Sequence, residues 1–188
     1  TNKTGFELGT NFEYYQDFNL GLSTRSFYEK IETDSTASTR QQAQEGNYWD
    51  TFLNTRFDYD KRNQKFRPDE GFRSTYTLDL PLISDTYTLT NSYTFETYTS
   101  FYSNNITSLG IYLESANSIK GDDIKLTERL FIPQKRLRGF QRAKVGPKDG
   151  NDFIGGNYIA TLNASTNLPY FFQNFQNLDA VLFFDAAN

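Results

Sequence analysis

The chain has 188 residues with no Cys, no His and no Met, and its formal net charge is −4 with both signs mixed throughout. These counts exclude disulfide scaffolds, thiolate metal sites and any Ser-His-Asp catalytic set, and no basic footprint for nucleic acid stands out. Apolar residues make up 37%, below the roughly 45–50% of ordinary globular domains, yet aromatic residues reach 17%. Such a mixture suits a pleated sheet with one apolar and one watery face better than a thick aliphatic core.

Phe6, Leu8, Thr10, Phe12 and Tyr14 alternate with Glu7, Gly9, Asn11 and Glu13, and a period of two predicts a strand with one apolar face. A turn at Gln16–Asn19 leads to a second strand over Leu20–Ile31, and a polar stretch without periodicity follows. The third strand, Trp49–Asp60, sets Trp49, Leu53, Phe57 and Tyr59 against Asp50, Asn54, Arg56 and Asp58. Pro68 and Gly71 then predict a tight turn, with Pro fixing φ and Gly taking a positive φ. Phe72, Tyr76, Leu78 and Leu80 alternate with Arg73, Thr75, Thr77 and Asp79 in the fourth strand. The fifth sets Tyr87, Leu89, Tyr93 and Phe95 against Thr88, Thr90, Thr94 and Glu96. A sixth covers Leu109–Ser118. After a long stretch over about 120–154, a seventh follows Gly155-Gly156-Asn157 and ends near Pro169, and an eighth covers Leu178–Ala186. No segment has a helical period.

Eight strands of about ten residues, joined as hairpins and rich in aromatics, match an antiparallel transmembrane β-barrel, since about ten tilted residues cross a bilayer. The connections after the second, fourth and sixth strands fall on one side. The turns near Gln16, Pro68, Asn104 and Phe172 fall on the other. A soluble antiparallel sandwich used for binding is the competing reading, because its strands alternate too. The chain ends within a strand pattern, so it is expected to be part of a longer protein.

The stretch 120–154 is too long for a passive connection. It carries Leu130, Phe131, Ile132, Leu137, Phe140 and Val145, with bends at Gly139, Gly146-Pro147 and Gly155-Gly156. It is expected to fold back onto the polar face of the sheet.

Leu137-Arg138-Gly139-Phe140 resembles the "VRGF" motif of BamA-type outer-membrane assembly factors, which share a superfamily with two-partner secretion transporters. Gly146-Pro147, "GGN" at Gly155–Asn157 and "LFFDAAN" at Leu182–Asn188 follow in the family's order, and Tyr59–Arg73 resembles its periplasmic turn. The resemblance implies a sixteen-stranded barrel of which this chain supplies about strands six to thirteen, 1–188 being part of one C-terminal β-barrel domain without the POTRA domains. It implies a non-enzymatic outer-membrane insertase without cofactor or metal. Its partners would be unfolded β-barrel clients, accessory outer-membrane lipoproteins, lipid bilayer and lipopolysaccharide, in the outer membrane of a Gram-negative bacterium. A two-partner secretion transporter is the rival within the superfamily.

The resemblance further implies that Arg138 enters the lumen and meets Asp185, whose carboxylate its planar fork can hold by two bonds. Many relatives carry a Glu on the strand after "GGN", where spacing places Ser165, and Ala187 replaces the usual Gly. Phe140 is expected against the lumen wall, and Lys135, Arg136 and Arg142 facing solvent or lipopolysaccharide. Glu13, Asp58, Asp79 and Glu96 should line the watery face. Asp122-Asp123 makes a poor calcium site, lacking further spaced ligands.

Overall fold

The computed structural model describes residues 1–188 apart from Thr36, Asp122, Tyr170 and residues 172–177. Alternating aromatic and Thr/Asn-rich segments form six successive strands: β1 (Asn2–Tyr15), β2 (Phe18–Ile31), β3 (Gly46–Asp60), β4 (Gly71–Ile83), β5 (Thr88–Thr99) and β6 (Thr107–Ser118). A two-stranded ribbon, β7 (Lys148–Asp149) with β8 (Asp152–Phe153), sits within the long loop, and β9 (Tyr158–Leu168) and β10 (Ala180–Ala187) complete the order. Eight strands form one antiparallel sheet in the order β1-β2-β3-β4-β5-β6-β9-β10. Each strand therefore lies beside its predecessor, the up-and-down order predicted from the hairpin rhythm. Among the described residues no helix is long and apolar enough to cross a membrane.

Register sorts the two faces. Asn54 opposes Asp79, Arg73 opposes Glu96, and Asn163 opposes Asp185, so these polar side chains share one face. The other face carries an aromatic ladder from Phe18 to Phe57 and Tyr59, on to Phe72 and Tyr76, and then to Phe95, with ring centroids 5.7–6.5 Å apart. Cross-strand aromatic pairs of this kind lock register as well as burying area. Many apolar side chains of that face are open to the surroundings, among them Phe6, Leu8, Trp49 and Phe184. A water-soluble sandwich would cover them against a second sheet.

The connections separate onto two rims as expected. Residues 32–45, 84–87 and 119–157 touch one another on the first rim: Leu126 donates its backbone N–H to Gln44, and Thr86 donates its hydroxyl to Glu128. On the second rim Lys61 pairs with Asp17 at 2.6 Å and Arg67 with Asp179 at 3.1 Å. The expected turn near Phe172 lies outside the described residues.

Two local expectations need correction. The polar stretch after β2 holds a four-residue helix, α1 (Thr39–Gln42), started by a Ser38–Gln41 capping box. Only one turn forms, too short for a hydrophobic period to show. Pro68 and Gly71 do not make a tight turn. Residues 61–70 form an open loop, because Lys61 and Asn63 extend the β3–β4 ladder by bonding Phe72 and Glu70. Arg67 carries a positive φ of 49° there, Pro68 is buried, and Gly71 opens β4 at φ 93°.

Gly71 has no substitute: a Cβ would overlap the Lys61 carbonyl oxygen. Gly155, at φ 74°, is similarly confined, with a Cβ falling 2.8 Å from the Leu130 oxygen. Gly139 has φ 85° but nothing within 4 Å of a Cβ. Gly139→Ala should therefore cost about 1–2 kcal/mol for left-handed backbone alone. Gly71→Ala and Gly155→Ala should cost more, read as a larger fall in the temperature at which the full-length protein loses its folded, heat-modifiable gel band.

Candidate functional site

The long loop crosses the polar face and is fastened at successive points. Its first anchor is ionic and buried. Lys125, 2% exposed, places its Nζ 2.5 Å from Asp50 of β3 and 3.7 Å from Glu128, and lies over the Tyr48 ring. Thr127 donates to Glu29 of β2, while Glu128 accepts from Thr86 and Thr88 at the head of β5. Among the described residues, Asp50 Oδ1 and Glu128 Oε1 find no hydrogen-bond partner. Lys125 is thus the central cation among crowded carboxylates, and its removal would strand buried negative charge.

A second anchor is backbone: Leu130 and Gly156 exchange hydrogen bonds at 2.8 and 2.9 Å, which closes the loop on itself. Gly146, at φ 117°, and Pro147 lead into the β7–β8 ribbon, and the Pro147 oxygen accepts from Ile154.

The third anchor holds the motif. A short 3₁₀ turn over Gln134–Arg136 ends at Leu137, itself buried. Arg138 then donates through Nε and Nη2 to the two oxygens of Asp185 at 2.7 and 2.6 Å, and through its backbone N–H at 3.0 Å. Its guanidinium lies 3.9 Å from the centre of the Phe183 ring, one pleat along β10 on the same face. The Asp185 side chain is 3% exposed and that of Arg138 36%. A fork held in two bonds, backed by an aromatic plate, is a geometry Lys cannot reproduce.

Arg136 departs from expectation. It is 9% exposed, pairs with Glu96 of β5 at 3.0 Å and stacks over Tyr112 of β6. The expectation of a solvent-facing side chain failed because the 3₁₀ turn aims residue 136 at the wall, a direction that spacing in a loop does not reveal. Lys135 and Arg142 are exposed, as expected. Phe140 is 56% exposed and borders a small hollow with Ile132, Leu137 and Val145. It packs within the loop rather than against the wall, because Gly139 turns the chain away after Arg138.

The strand position beside the pair is Asn163, not Ser165. Asn163 donates to Asp185 at 2.8 Å and to the Arg136 carbonyl at 2.7 Å, whereas Ser165 bonds Ser108 one pleat away. Glu13, Asp58, Asp79 and Glu96 share the polar face, and the last three are ion-paired. Asp123 is taken by Arg40 and Arg129, and among the described residues no cluster of His, Cys, Asp or Glu suits a metal.

The contacts on the wall form a row. Asp60 opposes Arg73, Arg73 opposes Glu96, Glu96 opposes Gly110, Gly110 opposes Asn163, and Asn163 opposes Asp185. Arg136 covers Gly110, whose missing side chain leaves 3.5 Å between a built Cβ and Nη1. The loop thereby inserts two cations into a band whose own charges run Asp, Arg, Glu and Asp.

Breaking a buried pair costs about 3–5 kcal/mol. Arg138 is partly exposed, so its charge-assisted bonds contribute only about 1–2 kcal/mol. Lys125→Met should consequently destabilise the full-length protein more than Arg138→Ala in thermal unfolding monitored by gel mobility. Pairing Lys125→Met with Asp50→Leu should recover part of the loss, since one charge of each sign then leaves while Glu128 still lacks its cation.

Comparison with known proteins accords with this architecture. The Omp85 superfamily domain model matches residues 1–188. No curated protein matches. Among solved structures, BamA from Haemophilus ducreyi lacking POTRA domains 1–3 superposes with a TM-score of 0.83 at 19% identity. The match covers 98% of this chain and 41% of that one, so the chain spans well under half the length of that relative. At this identity the match speaks for the fold, an antiparallel β-barrel of which these eight strands form an unclosed part. With its whole length matched by the family model, the chain belongs to the Omp85 superfamily.

Proposed function

We propose that the chain is part of an outer-membrane insertase barrel that folds and inserts other β-barrel proteins. Its polar face is the lumen wall, its aromatic face meets lipid, and residues 119–157 are an extracellular loop folded inward. The observation that carries this reading is the Arg138–Asp185 fork, made by a Leu-Arg-Gly-Phe sequence on a BamA-like barrel wall. An antiparallel barrel satisfies every interior backbone group between strands, which is why strands can replace apolar helices as spans.

In this proposal the chain supplies about strands six to thirteen, and POTRA domains belong to other parts of the protein. The loop has a mechanical role. Its anchors reach β2, β3, β5 and β10 in turn, so it ties strands that the ladder alone connects only through their neighbours. A wall braced from inside can keep its shape while a seam elsewhere opens for a client. The work is non-enzymatic, since binding and membrane geometry supply it. Accessory outer-membrane lipoproteins and lipopolysaccharide are the further partners, and the location is the Gram-negative outer membrane.

Reconstituted in liposomes, the full-length protein should accelerate folding of an urea-unfolded outer-membrane β-barrel client over empty liposomes. Export of one dedicated passenger without client acceleration would instead identify a two-partner secretion transporter. Arg138→Ala should lower the protein's own folded yield, and unchanged heat-modifiability and protease resistance would contradict the bracing role.

A further inference from the structure

The second rim is bridged as well. Loop 61–70 begins as a continuation of the β3–β4 ladder, with Lys61 bonded to Phe72 and Asn63 to Glu70. Arg62 forks onto Asp60 through two bonds of 2.7 Å, and Lys61 pairs with Asp17 at 2.6 Å. The root is thereby tied to its own hairpin and to the adjacent β1–β2 turn. The tip is folded on itself: Gln64 donates to the Arg67 carbonyl at 2.8 Å, Asn63 donates to Asp69, and Arg67 holds a φ of 49°.

A hollow lies on each flank of this loop. On one flank residues 62–65 border a space of about 730 Å³ floored by Glu13, Asn19, Asp58 and Arg73. Register sets Glu13 against Asn19 and Asn19 against Asp58, so this floor is the polar face of the sheet. On the other flank Gln64, Phe66 and Asp69 border a space of about 520 Å³, whose far side is the β5–β6 turn at Asn105 and Ile106 and the approach to β10 at Asp179. Gln64 lines both spaces. Arg67 reaches Asp179 at 3.1 Å, although β4 and β10 stand four ladder steps apart, about 20 Å along the wall. The loop therefore crosses the polar face at the second rim and divides its opening in two.

Among the described residues, Arg67–Asp179 is the one ion pair that joins loop 61–70 to anything beyond its own hairpin and the adjacent turn. Its side chains are 56% and 38% exposed, so the contact is weak and open to screening by salt. Phe66, at the tip, is 83% exposed, and the tip is not held by burying its ring. We propose that loop 61–70 is a strap across the second mouth of the polar channel, latched by Arg67 on Asp179. Releasing the latch joins the two hollows and widens the mouth. With a charged and amide-rich lining, the passage it narrows is one for water and small hydrated ions. The strap has this role only if the polar face is a lumen wall, as proposed for the whole barrel.

Single-channel recording of the full-length protein in planar lipid bilayers, with potassium chloride as the probe, tests the strap. The protein should show a low and a high conductance level, the strap latched and released. Asp179→Asn should raise the ratio of time in the high level to time in the low by about 1.5- to fivefold, the range an exposed pair is worth. Raising the salt from about 0.1 to 1 M should raise the ratio of the unaltered protein, because the screening length falls from about 10 to 3 Å, and should leave that of Asp179→Asn unchanged. Arg67→Asp combined with Asp179→Arg should restore both the ratio and its salt dependence. The chain contains no Cys, so Arg67→Cys and Asp179→Cys can be joined selectively by a short bismaleimide, which should hold the low level. The same levels and ratios in unaltered, Asp179→Asn and cross-linked protein would overturn the strap and leave the lumen in place. Absence of conductance in every variant would overturn the lumen reading and the strap with it. Failure of the two thiols to join in folded protein would overturn the latch.

Discussion

A band of charge one residue wide organises this structure. Across six neighbouring strands, register places Asp60, Arg73, Glu96, Gly110, Asn163 and Asp185 side by side on the polar face. Left to itself the band is uneven: Gly110 leaves a gap between Glu96 and Asn163, and Asp185 lies one strand further on. The inward loop fills the gap, setting Arg136 over the glycine and Arg138 on the last aspartate. Docking of the loop and pairing of the strands thus support one another. A one-residue slip would turn these partners to the lipid side and leave the arginines facing Leu and Phe.

The loop is fastened by anchors of different character. The Lys125–Asp50 pair and its threonines are withdrawn from water, and such a cluster gives position more than net stability, because desolvation consumes much of the Coulomb gain. The arginine anchors are wetter and make directional bonds whose geometry selects one seat. The root of the loop is thus buried and its arginine tip more accessible.

Aromatic side chains do two kinds of work here. On the outer face they form a ladder from β2 to β5 that resembles the girdle of membrane barrels. On the inner face single rings serve cations: Phe183 beneath Arg138, Tyr112 beneath Arg136 and Tyr48 beneath Lys125. Each of these cations also bonds a carboxylate, so the ring covers one face while the acid takes the donors.

Much of the sheet could be read from the chain. Alternation of period two gave both faces of the first, third, fourth and fifth strands, because side-chain direction in a strand depends only on parity, while the other four were placed without it. The Arg138–Asp185 partnership was reachable through motif resemblance, not through periodicity. Arg136, Lys125, Gly110 and Asn163 were beyond reach. Their roles come from pairings with residues 14 to 75 positions away, selected by register and by the pitch of a three-residue 3₁₀ turn. Phe140 failed for the same reason: a bend at Gly139 decides where it points, and a glycine announces freedom to bend without stating the direction. Local alternation determined that there would be strands with a wet and an oily side. Only the folded wall, by bringing distant charges within bonding distance, decided which of them meet.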